Sequence, residues 1–459
     1  MDYEMIYFLG IGGIGMSNLA RYFLSQGKSV AGYDRAETPL TDTLVAEGAL
    51  IHYDDSILNI PPSFKVKENT LVIYTPAIPS SHSEFNWFRD HGFQMMKRAQ
   101  VLGSITKNSD AICVAGTHGK TTVSSMVAHL LRQSSVDCNA FLGGILKNYG
   151  TNLLLSDKSN ITVVEADEYD RSFHWLQPWI AVITSADPDH LDIYGTSEAY
   201  RESFEHFTSL IRNDGYLLLR SDAPVTPNVK DGVKIYTYSE QEGDFHAKNI
   251  RIGNGEIVFD FVSKGVTIEN INLGVPIRIN IENSVAAIAV ALISGVTPEE
   301  IKQGISSFKG PKRRFDFIVK EDSIVFIDDY AHHPSELYAS INSIQQLYPN
   351  KKVTGVFQPH LFSRTRDFAK QFAESLSLLD DVILLDIYPA REEPIEGVSS
   401  EIIFNKVHSN EKVLIKKEEL LDYLDSKELE VIVTFGAGDI DKLLPSIKDM
   451  LMKKYSLSV

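Results

Sequence analysis

The sequence predicts an α/β protein of three domains, each built on a sheet whose strands alternate with helices. Three observations predict it. Short apolar runs of strand length recur along the whole chain with helical patterns between them, the pattern of parallel, doubly wound sheets. Glycine-rich turns stand directly after two of these runs, where a strand would pass into a helix. The 459 residues exceed what one ordinary core organises.

The first block, 1–98, reads as a Rossmann-like N-terminal domain. A strand over 5–9 leads into Gly10-Ile11-Gly12-Gly13-Ile14-Gly15, after which Leu19, Ala20, Phe23 and Leu24 recur at helical spacing. A strand over 28–33 ends on Asp34, and another over 71–74 runs into Thr75-Pro76-Ala77-Ile78-Pro79. In the second block, 99–309, a strand over 111–115 precedes Gly116-Thr117-His118-Gly119-Lys120-Thr121-Thr122. A helix follows with Val123, Met126, Val127, Leu130 and Leu131 on one face. Residues 161–164 and 180–184 read as buried strands, 216–261 as an antiparallel addition, and 281–293 as a closing helix. That order makes it a central P-loop ATPase-like domain with a parallel sheet. The third block, 310–459, places strands at 324–327, 352–357, 382–386 and 431–435 with helices between them, and reads as a C-terminal Rossmann-like domain.

Composition narrows the function. A net charge of -17 argues against general nucleic-acid binding, which needs a basic surface, but leaves room for phosphates at helix N-termini. The longest apolar run, 286–293, is too short to cross a bilayer. Asp2 and Glu4 stand where a signal peptide would be basic, so a cytoplasmic protein is expected. The two cysteines, Cys113 and Cys138, make neither a disulfide framework nor a cysteine metal site.

The chemistry lies where strands end. The turn through Gly12, Gly13, Ile14 and Gly15 brings backbone amides to a pyrophosphate at a helix N-terminus, and Asp34 either binds a ribose hydroxyl or caps a loop. In the second loop the glycines let the backbone close around phosphates. Lys120 supplies a point charge and the Thr121 hydroxyl suits Mg²⁺. The position six before Lys120 is Val114, so the loop is a shortened variant of the usual spacing. Glu165, at the end of its strand, stands where a Mg²⁺ ligand belongs. His190, in Asp187-Pro188-Asp189-His190, suits a metal, a phosphate or a capping role. Asn280 and Asn283 at a helix start either cap it or read a base. Arg313-Arg314 open the third block as solvated charges or as ATP contacts. Asp328-Asp329-Tyr330-Ala331-His332-His333 and Gln358-Pro359-His360 follow two of its strands, with Arg364 and Arg366 close behind. Adjacent histidines seldom share a metal, and no cysteine completes a zinc set.

Taken in order, these segments resemble the Mur ligases over nearly the whole chain. The resemblance rests on Gly10 to Met16, Tyr74-Thr75-Pro76-Ala77-Ile78, the Lys120 loop and Glu165-Ala166-Asp167-Glu168. It continues through Asp189-His190, Asn280 with Asn283, Arg313-Arg314-Phe315, Asp328 to Pro334 and Gln358-Pro359-His360. It implies domains for a UDP-sugar (1–98), for ATP (99–309) and for an amino acid (310–459). The implied reaction is ATP-dependent ligation of L-alanine to UDP-N-acetylmuramate through an acyl phosphate, in peptidoglycan biosynthesis, by a monomer or dimer. By resemblance, Gly12, Gly13, Ile14, Gly15, Asp34, Thr75 and Ala77 bind the UDP-sugar. Gly116, Thr117, His118, Gly119, Lys120, Thr121 and Thr122 bind ATP, Lys120 steadying the transferred phosphoryl group. Thr121, Glu165 and His190 serve Mg²⁺. Asn280 and Asn283 contact adenine, Arg314 and Asp329 join the ATP site from the third domain, and His360 and Arg364 hold the amino acid. Tyr169, Ile279 and Leu361 stand where the family usually has serine, histidine and arginine. No lysine occurs between His190 and Lys230, so Glu205, on a helix over 198–210, is expected to bring negative charge near a second Mg²⁺. An NAD-dependent oxidoreductase built on the first glycine turn would leave the Lys120 loop unexplained.

Overall fold

The central strand of the first sheet sets its architecture. β1 (Met5–Leu9) has Ile6, Tyr7, Phe8 and Leu9 all removed from solvent, so both faces of the strand must be covered. The structure, a computed structural model, describes residues 3–390 and 392–457; Asp2, used above in reading the N-terminus, lies outside them. With β2 (Ser29–Tyr33), β3 (Leu50–His52), β4 (Thr70–Tyr74) and β5 (Gln94–Lys97), β1 forms a parallel sheet ordered β3-β2-β1-β4-β5. Ile6 and Phe8 face a cluster with Leu19 and Phe23 of helix α1 (Ile14–Ser25), while Tyr7 and Leu9 face Phe64 and Phe88. The chain leaves β1 at Gly10, whose φ of 87° suits only glycine, and the N–H groups of Gly10 and Ile11 both donate to the Tyr33 carbonyl.

The second sheet contains β6 (Asp110–Ala115), β7 (Asn139–Leu146), β8 (Thr151–Leu154), β9 (Ile161–Glu165) and β10 (Ile180–Ile183). It continues through β11 (Tyr216–Arg220), β12 (Lys234–Tyr238), β13 (Phe245–Gly253), β14 (Glu256–Ser263) and β15 (Val266–Asn272). Their order is β15-β14-β13-β12-β11-β10-β6-β9-β7-β8. The third sheet is β16 (Asp316–Lys320), β17 (Val325–Asp329), β18 (Val353–Phe357), β19 (Asp381–Leu384), β20 (Glu411–Leu414) and β21 (Val431–Phe435), ordered β16-β17-β21-β18-β19-β20. Only β16 runs antiparallel there. By contact, the chain forms two compact units. One runs through Ala247 and adds Phe261–Ile268 and Glu282–Ile305; the other comprises Lys248–Asp260, Glu269–Ile281 and the chain from Ser306 onward.

One sequence expectation needs correction. The stretch 216–261 is not antiparallel throughout, because β11 and β12 extend the parallel sheet from β10. β12 passes from exposed at Lys234 and Ile235 to buried at Tyr238, so its polar residues mark an exposed strand start and not a hairpin. Reversal begins with β13 to β15, whose two-residue connections, Asn254-Gly255 and Lys264-Gly265, permit only hairpins. Asn254 and Gly255 both have positive φ, as the tight hairpin turn requires.

A buried proton lies under the first sheet. Tyr7 Oη is 2.7 Å from Glu84 Oε2 and 2.8 Å from His52 Nε2, and Nε2 is 3.2 Å from Glu84 Oε1. His52 Nδ1 faces the Asp54 carbonyl at 3.0 Å, which only accepts, so Nδ1 carries a hydrogen. The remaining three groups then need one proton beyond the tyrosine's own. Burial pushes Glu84 up to about 7 and His52 below its ordinary value, so that proton rests on a neutral Glu84. A carboxyl whose folded pKa is raised gives stability that is full below its unfolded pKa and is lost as pH rises through about 7. His52 acts oppositely, on the acid side. Glu84→Gln mimics the neutral acid. Its melting temperature, measured against wild type from about pH 5 to about pH 8, should shift in the variant's favour as pH rises. A constant difference would place an ionised carboxylate there instead.

Candidate active site

In the first unit, β6 ends at Ala115 and the chain turns through two left-handed glycines, Gly116 (φ 141°) and Gly119 (φ 82°). A Cβ on Gly116 would fall 2.1 Å from Thr184 Oγ1, and one on Gly119 3.1 Å from Asn283 Oδ1. Side chains from the neighbouring strand end hold the loop. The Ser185 hydroxyl accepts from His118 N at 2.8 Å, and the Thr184 hydroxyl lies against the carbonyls of Ala115 and His118. Thr117 Oγ1 donates to the Asp187 carbonyl at 2.7 Å and takes the Tyr200 phenol at 2.8 Å. Gly119 caps the helix Lys120–Arg132 without a side-chain bond, and no acid stands in its first turn. That helix end, with Thr121 and Thr122 in its first turn, is built for an anion.

Lys120 is already positioned. Its Nζ donates to the Gly116 carbonyl at 2.6 Å and lies 2.9 Å from both oxygens of Glu168, which is buried. Burial raises the Glu168 pKa, and the Lys120 ammonium opposes that rise. Glu165 ends β9 in register with Val114, beside the strand that feeds the loop. Its carboxylate occupies space that a side chain at position 143 would take: a Cβ on Gly143 would fall 2.3 Å from Oε2. His190 sits at φ 51°, with Nε2 3.7 Å from Asp189 Oδ2 and its ring edge-on to Tyr169 at 5.2 Å.

Among the described residues no group of three or more His, Cys, Asp or Glu could hold a metal. The donors at hand, the Thr121 hydroxyl and the Glu165 carboxylate, are hard oxygens. They fit Mg²⁺, which takes few protein ligands and completes its shell with water and phosphate. Glu205 does not join them. Its carboxylate accepts from Thr226 N at 3.3 Å, about 140° around the helix Ser197–Ser209 from Tyr200, whose hydroxyl faces the loop.

At the first glycine turn, Asp34 Oδ2 accepts from Gly12 N at 2.6 Å and Oδ1 from Arg35 N at 2.8 Å, so Asp34 holds the turn itself. Gly13 caps α1 with no side-chain bond, and Ile14 and Gly15 open the helix. Thr75 packs under Gly10, and Ala77 lies exposed in the next turn. The sequence reading missed Arg98, which lies against Gly15 and pairs with Asp167 at 3.1 Å, and Lys97, which pairs with Asp170 at 2.6 Å. Two adjacent cations where a strand passes into a helix were the available signal. It missed Glu168 and Tyr200 as well.

In the second unit, Asn280 is buried, and its Nδ2 donates to the Val275 carbonyl at 3.1 Å. Arg313 and Arg314 both lie over the Tyr330 ring, at 5.1 and 5.7 Å. Arg313 is spent on the fold, donating to the Gly436 carbonyl at 2.7 Å and pairing with buried Asp328 at 3.4 Å. Burial pushes Asp328 up to about 6, and the Thr434 hydroxyl and Arg313 oppose it. Burial also raises Asp329, against the Ser340 hydroxyl and Arg314. The structure brings His332 and His360 together, rings 6.0 Å apart, with Arg364 Nη1 3.3 Å from His360 Nδ1. Burial, then Arg364 and His332, push His360 down to about 4, leaving it neutral at physiological pH beside a permanent cation.

A phosphate loop whose lysine is gripped by a buried acid, set in one of three parallel-dominated sheets, defines a nucleotide-binding α/β protein built for phosphoryl transfer. Family comparison narrows the class. Residues 5–109 match the catalytic domain of the Mur ligase family, 114–291 the Mur ligase middle domain, and 313–438 the Mur ligase glutamate ligase domain. The chain belongs to the Mur ligase family, whose members are ATP-dependent ligases. The UDP-N-acetylmuramate--L-alanine ligase of Parabacteroides distasonis is 63% identical to it over 98% of this chain and 97% of its own. That of Phocaeicola vulgatus is 61% identical over 98% and 99%. A crystal structure of the UDP-N-acetylmuramate-alanine ligase of Thermotoga maritima aligns over 98% of this chain and 99% of its own, with a TM-score of 0.81 and 26% identity.

Gly143→Ala tests the Glu165 site without touching a ligand-binding side chain. The added methyl should displace the Glu165 carboxylate, raise the Mg²⁺ concentration for half-maximal ATP turnover about tenfold, and move the melting temperature little. An unchanged Mg²⁺ profile would remove Glu165 from the metal site.

Proposed function

We propose that this chain joins L-alanine to UDP-N-acetylmuramate at the expense of ATP, giving an amide, ADP and phosphate. The observation that carries the reading is the Lys120 loop: an anion-ready helix end and a gripped lysine, in a chain 63% identical to a relative named for this reaction. The muramyl carboxylate takes the terminal phosphoryl group of ATP, and the alanine amine then displaces phosphate from the acyl phosphate. Residues 1–98 take the UDP-sugar on the Gly12–Gly15 turn, Asp34, Thr75 and Ala77. Residues 99–309 take ATP on the loop and its helix, with Asn280 and Asn283 near the base. Residues 310–459 take alanine. The protein works in the cytoplasm, where both nucleotides are found.

Phosphoryl transfer asks the protein for positioning and charge neutralisation more than for covalent help. Lys120 neutralises developing charge on the transferred group. Glu168, already bonded to Lys120, keeps the ammonium aimed into the loop when no phosphate is there. Thr121 and Glu165, with His190 beyond them, would hold Mg²⁺, which when bound draws negative charge from the phosphate oxygens. Arg364 offers a fork that matches the alanine carboxylate, and neutral His360 leaves the approaching amine uncharged company.

The test is ADP release with UDP-N-acetylmuramate and a panel of acceptors: L-alanine, glycine, serine and a tripeptide. L-alanine should be preferred, and omission of either partner should abolish turnover. Equal ATP hydrolysis without acceptors would refute the reading, and tripeptide preference would redirect it to a peptide ligase. Lys120→Ala should lower kcat by about 10²-fold or more, with folding intact by circular dichroism.

A further inference from the structure

One arginine stands between the two glycine loops, beside the Asn152–Ile14 and Lys97–Asp170 bonds that also join their surroundings. Arg98 opens the helix Arg98–Thr106 directly after β5. Its guanidinium lies on the first turn of α1: a Cβ on Gly15 would fall 2.5 Å from Nη1 and 3.2 Å from Cζ. On its other side Nη2 donates to Asp167 Oδ2 at 3.1 Å. Asp167 Oδ1 takes the Tyr169 N–H at 3.0 Å, and the residue between them is Glu168, which grips Lys120. Arg98 therefore touches the turn assigned to the sugar nucleotide while bonded to the segment that aims the phosphate-loop lysine.

The two attachments are unequal. Both Arg98 and Asp167 are partly exposed, and an ion pair in that setting contributes little. A diphosphate at the amides of Gly13, Ile14 and Gly15 carries two charges and offers a guanidinium fork two oxygens. It outcompetes one solvated carboxylate. We infer that Arg98 is a residue of the sugar-nucleotide site that exchanges Asp167 for the diphosphate, so that filling the first loop releases the Asp167–Glu168 segment beside Lys120. The inference rests on the function proposed above. In the absence of sugar nucleotide Arg98 keeps the acidic segment fixed. In its presence the segment keeps its bonds from Lys97 to Asp170 and from Lys120 to Glu168 and loses only the one from Arg98.

Three variants test it by titration calorimetry with UDP-N-acetylmuramate on the full chain, with and without a non-hydrolysable ATP analogue. Arg98→Gln should weaken sugar-nucleotide binding about tenfold or more, Arg98→Lys should restore part of it, and analogue binding alone should stay within about twofold. Asp167→Asn carries the sharper expectation. The amide oxygen still takes the Tyr169 N–H, but the competing charge is gone, so the sugar nucleotide should bind about threefold tighter. A purely structural clamp predicts the opposite sign. Arg98→Gln binding within about twofold of wild type, or Asp167→Asn weakening binding as Arg98→Gln does, overturns the inference. Melting curves identify any variant that fails to fold, and Arg98→Lys and Asp167→Asn then decide between the two. A wild-type chain that binds no UDP-N-acetylmuramate overturns the proposed function itself.

Discussion

The grip of Glu168 and the Gly116 carbonyl on Lys120 is the interaction on which the first unit's site depends. An ammonium on a four-carbon stem is mobile, and holding it in a loop with no phosphate present requires an anion close by. Glu168 meets that need from a buried position, where the pairing is little screened and the ammonium in turn opposes the rise in its pKa that burial causes. The surrounding contacts serve the same geometry. Thr184, Ser185 and Asp187 fix the loop backbone from the end of β10, and Tyr200 fastens Thr117 from a helix. The loop is thus shaped by its neighbours more than by its own glycines, whose part is to leave space.

The second unit uses charge differently. Asp328 and Asp329 end a buried strand, and burial works against their charge. Arg313 is folded into that strand end, and Arg314 shares the Tyr330 face with it. Two adjacent arginines thus differ, one bonded into the fold and one exposed over the Tyr330 ring. Burial lowers both pKa values in the His332–His360 pair, His360's to about 4, so His360 is neutral beside Arg364.

Much of this was legible in the sequence, for physical reasons. Buried parallel strands must be apolar throughout, so β1, β6, β9, β10 and β21 announce themselves. Turns that need positive φ must carry glycine, so both loops stand out. The edge strands β3, β5 and β20 are short and half polar, and no periodicity marks them. The misreading of β11 and β12 came from the turn residues around them, since turns separate parallel strands as well as hairpins. At the site, residues at strand ends were recognisable from chemistry and position. Glu168, Tyr200 and Arg98 were not, because each acts through a partner distant in sequence: Lys120 is 48 residues away, Thr117 83 and Asp167 69. Glu205 lies on a different face of its helix from Tyr200, and which face meets the loop is set by the Tyr200–Thr117 contact, which is not visible from the helix alone.

The bond from Gly12 N to Asp34 has a kinetic consequence. A glycine-rich turn left to itself samples many conformations, and a ligand that orders it must offset that lost entropy on arrival. Asp34 has already imposed the turn, with Arg35 N–H balancing its second oxygen. The first loop is therefore a pre-organised surface, and a ligand received there would meet a turn already ordered, its association set by encounter more than by loop ordering.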